Sequence, residues 1–144
     1  MGIAHSLSRR PTRPWIVLLV EESPEISAGI REILTAPRIG LTVICAASQR
    51  EARAVLARGY VDVILVDFRL WSDRHTWRVD RGPSDACPVI ALLGEVDVVS
   101  LREAISTRSA GFYYKDQVDD SFGRHLLALL ARQPARSSPL DVIR

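Results

Sequence analysis

The sequence predicts a three-layer α/β domain, in which a parallel β-sheet carries helices on both faces. Short runs of Val, Ile and Leu recur along the chain, and such runs are typical of strands buried on both faces. Segments with apolar residues at helical spacing separate these runs, and a strict alternation of strand and helix favours parallel strands joined by right-handed crossovers. The length of 144 residues suits one domain with a substantial core.

The first part of the chain contains the patterns of a strand, a helix and a second strand. The run WIVLLV at 15–20 predicts the first strand, which ends before Glu21 and Glu22. Ser23 then suits a helix N-cap, because its side chain can accept an amide hydrogen bond, and apolar residues follow it at helical spacing. The run LTVICAA at 41–47 predicts a second short strand, buried like the first.

The remaining elements continue this alternation. The segment SQRE at 48–51 has the form of a helix capping box, and Gly59 suits the C-terminal cap of the same helix. The patterns predict further strands at 61–66, 88–93 and 112–114, a helix at 97–108 and a last helix capped by Asp119. Helical periodicity is poor between 68 and 86, so we expect the third helix of the fold to be shortened, displaced or replaced by a loop.

Both ends of the chain are predicted to be flexible. Residues 1–13 form a basic arm and residues 133–144 a Pro- and Ser-containing tail, so we assign the domain to residues 14–132. A net charge of +2 gives no global argument for nucleic acid or a membrane surface, and no apolar run reaches the roughly 18 residues of a membrane-spanning helix. Cys45 and Cys87 lie in apolar runs, which predicts buried thiols in a reducing compartment, the cytoplasm.

Charged residues follow three of the predicted strands, at the point where each strand ends. Glu21 and Glu22 follow the first strand, Asp67 the third and Lys115 the fifth. Ligand sites of parallel sheets lie beyond the carboxyl ends of the strands, so we expect these three carboxylates and one ammonium group to converge there. Oxygen ligands of this kind suit Mg²⁺, with Lys115 as a contact for a phosphoryl oxygen. The pattern therefore predicts phosphoryl transfer onto Asp67, and the alternative is that polar residues simply end each strand.

Four segments carry a resemblance to a known family, and their order and spacing are more specific than any one of them. They are WIVLLVEESPEISAGIREIL, YVDVILVDF, CPVIALLGE and SAGFYYKD. With these segments the chain resembles the receiver domain of two-component response regulators across nearly all of residues 15–132. The resemblance implies a flavodoxin-like three-layer sandwich, whose five parallel strands are ordered 2-1-3-4-5.

The resemblance also implies a role for each charged residue at the strand ends. Asp67 would be the phospho-acceptor and Lys115 the phosphate contact, while Glu21 and Glu22 would bind Mg²⁺ together with Asp67. Phe112 would be the aromatic side chain that switches its position on phosphorylation. The functional prediction depends on these residues.

Three positions depart from the pattern of this family. Glu22 stands where the family usually has Asp, so we expect either weak Mg²⁺ binding or a salt bridge from Glu22 to Lys115. Leu93 stands at the switch position where the family has Thr or Ser, and Leu has no hydroxyl to bind a phosphoryl group. Asp116 replaces the usual Pro, so we expect a trans peptide or a differently shaped loop.

We therefore predict an atypical single-domain response regulator that takes a phosphoryl group from a histidine kinase or a phosphotransfer protein. It would have no enzyme activity beyond Mg²⁺-dependent phosphorylation and dephosphorylation of its own Asp67. Its output would be protein–protein interaction, including a homodimer through the fourth helix, fifth strand and fifth helix, with no nucleic-acid or membrane partner. The alternative is a degenerate receiver that acts as a docking or dimerisation module independently of phosphorylation. Trp71 and Trp77 in the irregular segment either cover the sheet or anchor a partner.

Overall fold

The strands and helices of the described residues follow one another in the predicted order. The computed structural model describes residues 14–70, 87–94 and 111–132. The strands are β1 (Ile16–Val20), β2 (Thr42–Ala46), β3 (Val63–Asp67), β4 (Val89–Leu93) and β5 (Gly111–Tyr114). The helices of the described residues are α1 (Pro24–Thr35), α2 (Gln49–Arg58) and α3 (Asp120–Ala131), and short 3₁₀ turns follow β3 at Phe68–Leu70 and β5 at Lys115–Gln117.

The five strands are parallel and lie in the order β2-β1-β3-β4-β5, which confirms the predicted flavodoxin-like arrangement. β1 and β3 are neighbours, with Val20 paired to Val66. The residues that follow this pair are Glu21 and Asp67, so the two acidic residues lie side by side at the carboxyl edge of the sheet. β4 separates β3 from β5, so a residue after β5 must reach across one strand to contact the end of β3.

Helices cover both faces of the sheet, which explains the uninterrupted apolar runs of its central strands. Successive side chains of a strand point to opposite faces, so Val17 and Leu19 of β1 join one core cluster while Leu18 and Val20 join the other. The helix residues of the first cluster belong to α1 and α3, and include Ile30, Leu34, Phe122, Leu126 and Leu130. The helix residues of the second belong to α2, and include Ala52 and Leu56. The three predicted layers are therefore confirmed.

Side-chain caps begin each of the three described helices, as their sequences predict. Ser23, Ser48 and Asp119 each accept a hydrogen bond from the amide three residues later, at 3.4, 3.2 and 3.0 Å. These bonds satisfy amides that the first helical turn leaves without partners. In α2 the Glu51 carboxylate accepts a hydrogen bond from the amide of Ala47 at 2.6 Å, one residue before the position that a capping box uses.

The expectations of a buried second strand and of a buried thiol at Cys45 are wrong. β2 lies at the edge of the sheet, with a neighbouring strand on one side only, and both Ile44 and Cys45 are exposed. An apolar run does not show whether its strand is central or at an edge, which is why the sequence misleads here. Cys87 precedes β4 and is partly buried, with its sulfur 3.6 Å from the carbonyl oxygen of Val61.

Several predicted segments lie outside the described residues. These are the arm 1–13, residues 71–86 with Trp71 and Trp77, the helix predicted at 97–108 and the tail 133–144. The irregular segment begins with the 3₁₀ turn Phe68–Leu70, and the rest of the prediction for it stays a prediction. Within the described part of the chain, no helix is long and apolar enough to span a membrane.

Candidate functional site

Three of the predicted site residues meet at the carboxyl edge of the sheet. Glu21 directly follows β1, Asp67 ends β3 and Lys115 directly follows β5. The Lys115 ammonium donates hydrogen bonds to Glu21 Oε1 and, at 2.9 Å, to Asp67 Oδ2. Its side chain therefore crosses the end of β4 and bridges the two acidic residues. The predicted convergence at this edge is present for these three side chains.

These contacts lie inside the protein. Glu21 and Asp67 are buried, and the Lys115 side chain is only 8% exposed. Burying a carboxylate is costly unless it is paired and hydrogen-bonded, so the shared ammonium group offsets the cost for both. Lys115 is the only lysine of the sequence, and all the other residues counted as Lys or Arg are arginines. An ammonium group donates in three directions from one point, which suits a position between two carboxylates.

Arg69 is a further member of the site that the sequence analysis did not single out. Its backbone amide donates to Asp67 Oδ1 at 3.0 Å, and its guanidinium Nη2 donates to Asp67 Oδ2, also at 3.0 Å. The side chain itself is 71% exposed, so it covers the buried carboxylate from the solvent side. A local signal for this contact was present in the sequence. In a turn, an Asp side chain commonly accepts a hydrogen bond from the backbone amide two residues later.

Glu22 does not take the position expected for it. Its side chain is 59% exposed, and its Oε1 lies 3.7 Å from Arg69 Nη2. The expectation that Glu22 pairs with Lys115 is therefore wrong, because Glu21 makes that contact instead. Two consecutive residues at a strand end point in different directions, and here the first of them turns inward.

The pKa of Asp67 lies below its ordinary value. Burial alone would raise this pKa, but hydrogen bonds from Arg69 and Lys115, together with the charge of Lys115, outweigh the effect of burial. The hydrogen bond to Asp67 in turn raises the pKa of Arg69. Asp67 is therefore a carboxylate at neutral pH.

An open cleft of about 780 Å³ leads to Asp67. One wall consists of α1 side chains, namely Ile26, Ile30 and Ile33. The charged end contains Arg69 and Lys115 as well as Asp67, and Leu93 at the end of β4 also lines the cleft. Leu93 is buried and offers no hydrogen-bond donor at the position predicted for the switch.

The switch role of Phe112 stays a prediction. Phe112 lies in β5 beside Ala91 of β4, and its side chain lies outside the described residues. The next residue, Tyr113, packs edge-to-face against Phe122 of α3, with ring centroids 4.6 Å apart. After β5 the peptide between Lys115 and Asp116 is trans, as expected.

Protein hydrogen-bond donors contact two of the predicted metal ligands, Asp67 and Glu21. Among the residues that the structure describes, no group of three His, Cys, Asp or Glu side chains is placed to hold a metal ion. Asp67 accepts hydrogen bonds at both oxygens, and Glu21 accepts from Lys115 and from the Ser23 amide. Mg²⁺ requires near-octahedral oxygen ligands, and here protein donors already engage the inward oxygens. The magnesium site therefore stays a prediction from the sequence.

The fold is similar to that of receiver domains from several organisms. The sequence matches no protein-family model and no curated protein. The signal receiver domain of a DNA-binding response regulator from Colwellia psychrerythraea 34H superposes with a TM-score of 0.67 at 15% identity, covering 82% of this chain and 99% of that one. The chemotaxis response regulator CheY4 of Vibrio cholerae gives a TM-score of 0.63 at 22% identity, with coverages of 82% and 99%. The chain therefore has the CheY-like receiver fold of response regulators.

Proposed function

We propose that this chain is an atypical receiver of phosphorelay signalling, which accepts a phosphoryl group on Asp67 and signals through protein–protein interaction. The observation that carries the proposal is the position of Asp67. It is an ionised carboxylate at the carboxyl end of β3, hydrogen-bonded by the ammonium of Lys115 at 2.9 Å, and it opens onto a cleft.

The chemistry requires no general base. An Asp67 oxygen forms a bond to the phosphorus of the donor, and the bond from phosphorus to the leaving group breaks, with the electron pair departing on the leaving group. Because Asp67 is ionised, no proton has to be removed from it. The Lys115 ammonium is placed to contact a phosphoryl oxygen on the product. The Arg69 side chain, which is largely exposed, can move aside to let the donor approach.

The natural donor in this proposal is the phosphohistidine of a histidine kinase or a phosphotransfer protein. The apolar wall of the cleft supports a protein donor, because Ile26 is a partly exposed large hydrophobic side chain close to Asp67 and apolar contact favours association. The output surface that we propose, which is also that of a homodimer, is formed by β5, α3 and the helix predicted at 97–108. The proposal places the chain in the cytoplasm together with its donor.

Leu93 supports a second candidate function, that of a docking module independent of phosphorylation. This residue is buried at the end of β4 and lines the cleft. A leucine cannot donate a hydrogen bond to a phosphoryl group, so β4 would not sense phosphorylation of Asp67. In that case the module would bind its partner equally well in either state.

Incubation with a small phosphodonor such as phosphoramidate, followed by intact mass measurement, tests the proposal. We expect the mass of one phosphoryl group to be added to the wild-type chain and to be absent in Asp67→Asn. Asp116→Asn is the matched control, because Asp116 lies beside Lys115 but is exposed, and we expect it to be phosphorylated as the wild type is.

Parallel samples with Mg²⁺ and with a chelator show whether the reaction requires a divalent ion. No added mass in either sample would contradict the proposal and favour the docking module. Added mass that persists in Asp67→Asn would contradict the assignment of the acceptor.

A further inference from the structure

We infer that the guanidinium of Arg69 takes the place of a divalent cation at this site, so that the chain itself neutralises Asp67 and Glu22. The inference concerns the resting site at which we propose phosphorylation. It holds whether or not Asp67 accepts a phosphoryl group, because it concerns metal affinity alone.

The position of one nitrogen atom is the first argument. Arg69 Nη2 lies 3.0 Å from Asp67 Oδ2 and 3.7 Å from Glu22 Oε1, and it therefore stands between two of the carboxylates predicted as metal ligands. An ion held by both carboxylates would need the space that this nitrogen occupies. A metal and the guanidinium are therefore alternatives at this position.

The charges of the site give the second argument. The interacting groups are the carboxylates of Glu21, Glu22 and Asp67 and the cations of Lys115 and Arg69, which leaves one net negative charge. Three carboxylates with Lys115 alone would leave two, the charge that one divalent ion cancels. With Arg69 present, a divalent ion would make the site positive and would lie next to a guanidinium, and like charges at short range repel strongly.

The backbone around Arg69 gives the third argument. The Arg69 amide donates to Asp67 Oδ1 at 3.0 Å, which ties this residue to the carboxylate independently of its side chain. The same 3₁₀ turn is tied to α2, because the Gln49 side-chain amide donates to the carbonyl oxygen of Leu70. The turn therefore holds the backbone of Arg69 beside Asp67, within reach of its side chain.

Isothermal titration calorimetry of the full chain with Mg²⁺, repeated with Mn²⁺, tests the inference without any phosphodonor. We expect weak binding to the wild type and affinity higher by about tenfold or more in Arg69→Gln, because the repelling charge is gone. Adding Glu22→Gln to Arg69→Gln should remove most of this gain. Arg38→Gln is the matched control: it also separates an arginine from an aspartate, Asp120, and should bind as weakly as the wild type.

Two results would overturn the inference. One is a wild type that binds Mg²⁺ as tightly as Arg69→Gln does, and the other is an Arg69→Gln chain with a native circular dichroism spectrum and no gain in affinity. A measurement on the wild type covers the case in which the variant does not fold, because the Arg69 guanidinium NMR signals should stay unchanged when Mg²⁺ is added. A shift of those signals at low Mg²⁺ concentration would be a third result against the inference, because the ion would then displace Arg69 readily. Phosphorylation of Asp67 is measured separately by mass, so either proposal can fail alone.

Discussion

Two arginine–aspartate pairs in this chain use the same chemical groups in different surroundings. Arg38, in the turn after α1, donates to both carboxylate oxygens of Asp120 at 2.6 and 2.9 Å. Arg69 donates one side-chain hydrogen bond to Asp67 at 3.0 Å. The side chains of the first pair are 62% and 36% exposed. In the second pair Asp67 is buried, and only Arg69 is exposed.

The distance between the charged groups does not by itself determine how much an ion pair stabilises the fold. The shorter, two-pronged pair lies in water, where solvent screens the attraction and exposed pairs contribute little. Asp67 has the longer contact, but its carboxylate is buried at the end of the cleft and depends on its protein partners. We therefore expect the largest effects at the Asp67 site, and there from the buried cation rather than from the exposed one.

Lys115→Met should have the largest effect on stability. It leaves Glu21 and Asp67 buried without their shared cation, and removing one partner of a buried pair costs on the order of 3–5 kcal/mol. The free energy of unfolding from urea titration at neutral pH measures this loss. Combining Lys115→Met with Asp67→Asn should recover part of it, because one uncompensated charge is removed. A loss of stability no larger than that caused by a surface substitution would show that the buried ion pairs of Lys115 do not stabilise the fold as expected.

Acid should destabilise the wild type through Asp67. Because its folded-state pKa lies below the unfolded value, Asp67 stabilises the fold above the unfolded pKa of about 4. This stabilisation is lost as the pH falls through the lower folded-state pKa. Urea midpoints measured from neutral pH to about pH 3 should therefore fall more steeply in the wild type than in Asp67→Asn. Parallel curves would show that Asp67 has no part in the acid response.

Arg69→Gln should cost little stability, below about 1 kcal/mol. Its side chain is largely exposed, and Lys115 still pairs with Asp67 when it is gone. Thermal unfolding of the metal-free chain measures the change. A loss comparable to that of Lys115→Met would mean that the exposed Arg69 stabilises the site as much as the buried Lys115 does, which would contradict the expected difference between them.

Asp120→Asn should have the smallest effect. The hydrogen bond from Arg38 lowers the pKa of Asp120, but both groups are in water, so we expect an unfolding midpoint close to that of the wild type at neutral pH. Asp120 lies in the first turn of α3, where a negative charge interacts favourably with the helix dipole. A decrease of the unfolding midpoint that high salt abolishes would be attributed to this charge. A decrease as large as that from Lys115→Met would contradict the expected difference between the exposed and the buried ion pair.

Much of the fold could be predicted from the sequence because its signals are local. Uninterrupted apolar runs such as that of β1 indicate strands buried on both faces, and a capping side chain such as Ser23 indicates where a helix begins. The positions of Asp67 and Lys115 at strand ends were also evident, because a strand ends where its apolar run ends. Parallel topology then brings such ends to one edge of the sheet.

Contacts that depend on the direction of a side chain could not be predicted from the sequence. Glu21 and Glu22 are adjacent and chemically equivalent, and no local pattern shows which of them turns toward Lys115. The role of Arg69 was missed for a related reason, because residues 68–86 look irregular as a whole and the turn that points one arginine at Asp67 is only three residues long.

The sequence by itself therefore determined the order of the described elements, the two-sided burial of the central strands and the edge at which acidic and basic groups gather. These properties follow from periodicity and from the order of polar and apolar residues along one chain. Only the tertiary structure decided that β2 is an edge strand with an exposed Cys45, that Glu21 rather than Glu22 contacts Lys115, and that Arg69 covers Asp67. Each of these depends on which surfaces are left to solvent after the layers pack, and that is a property of the assembled sheet and helices.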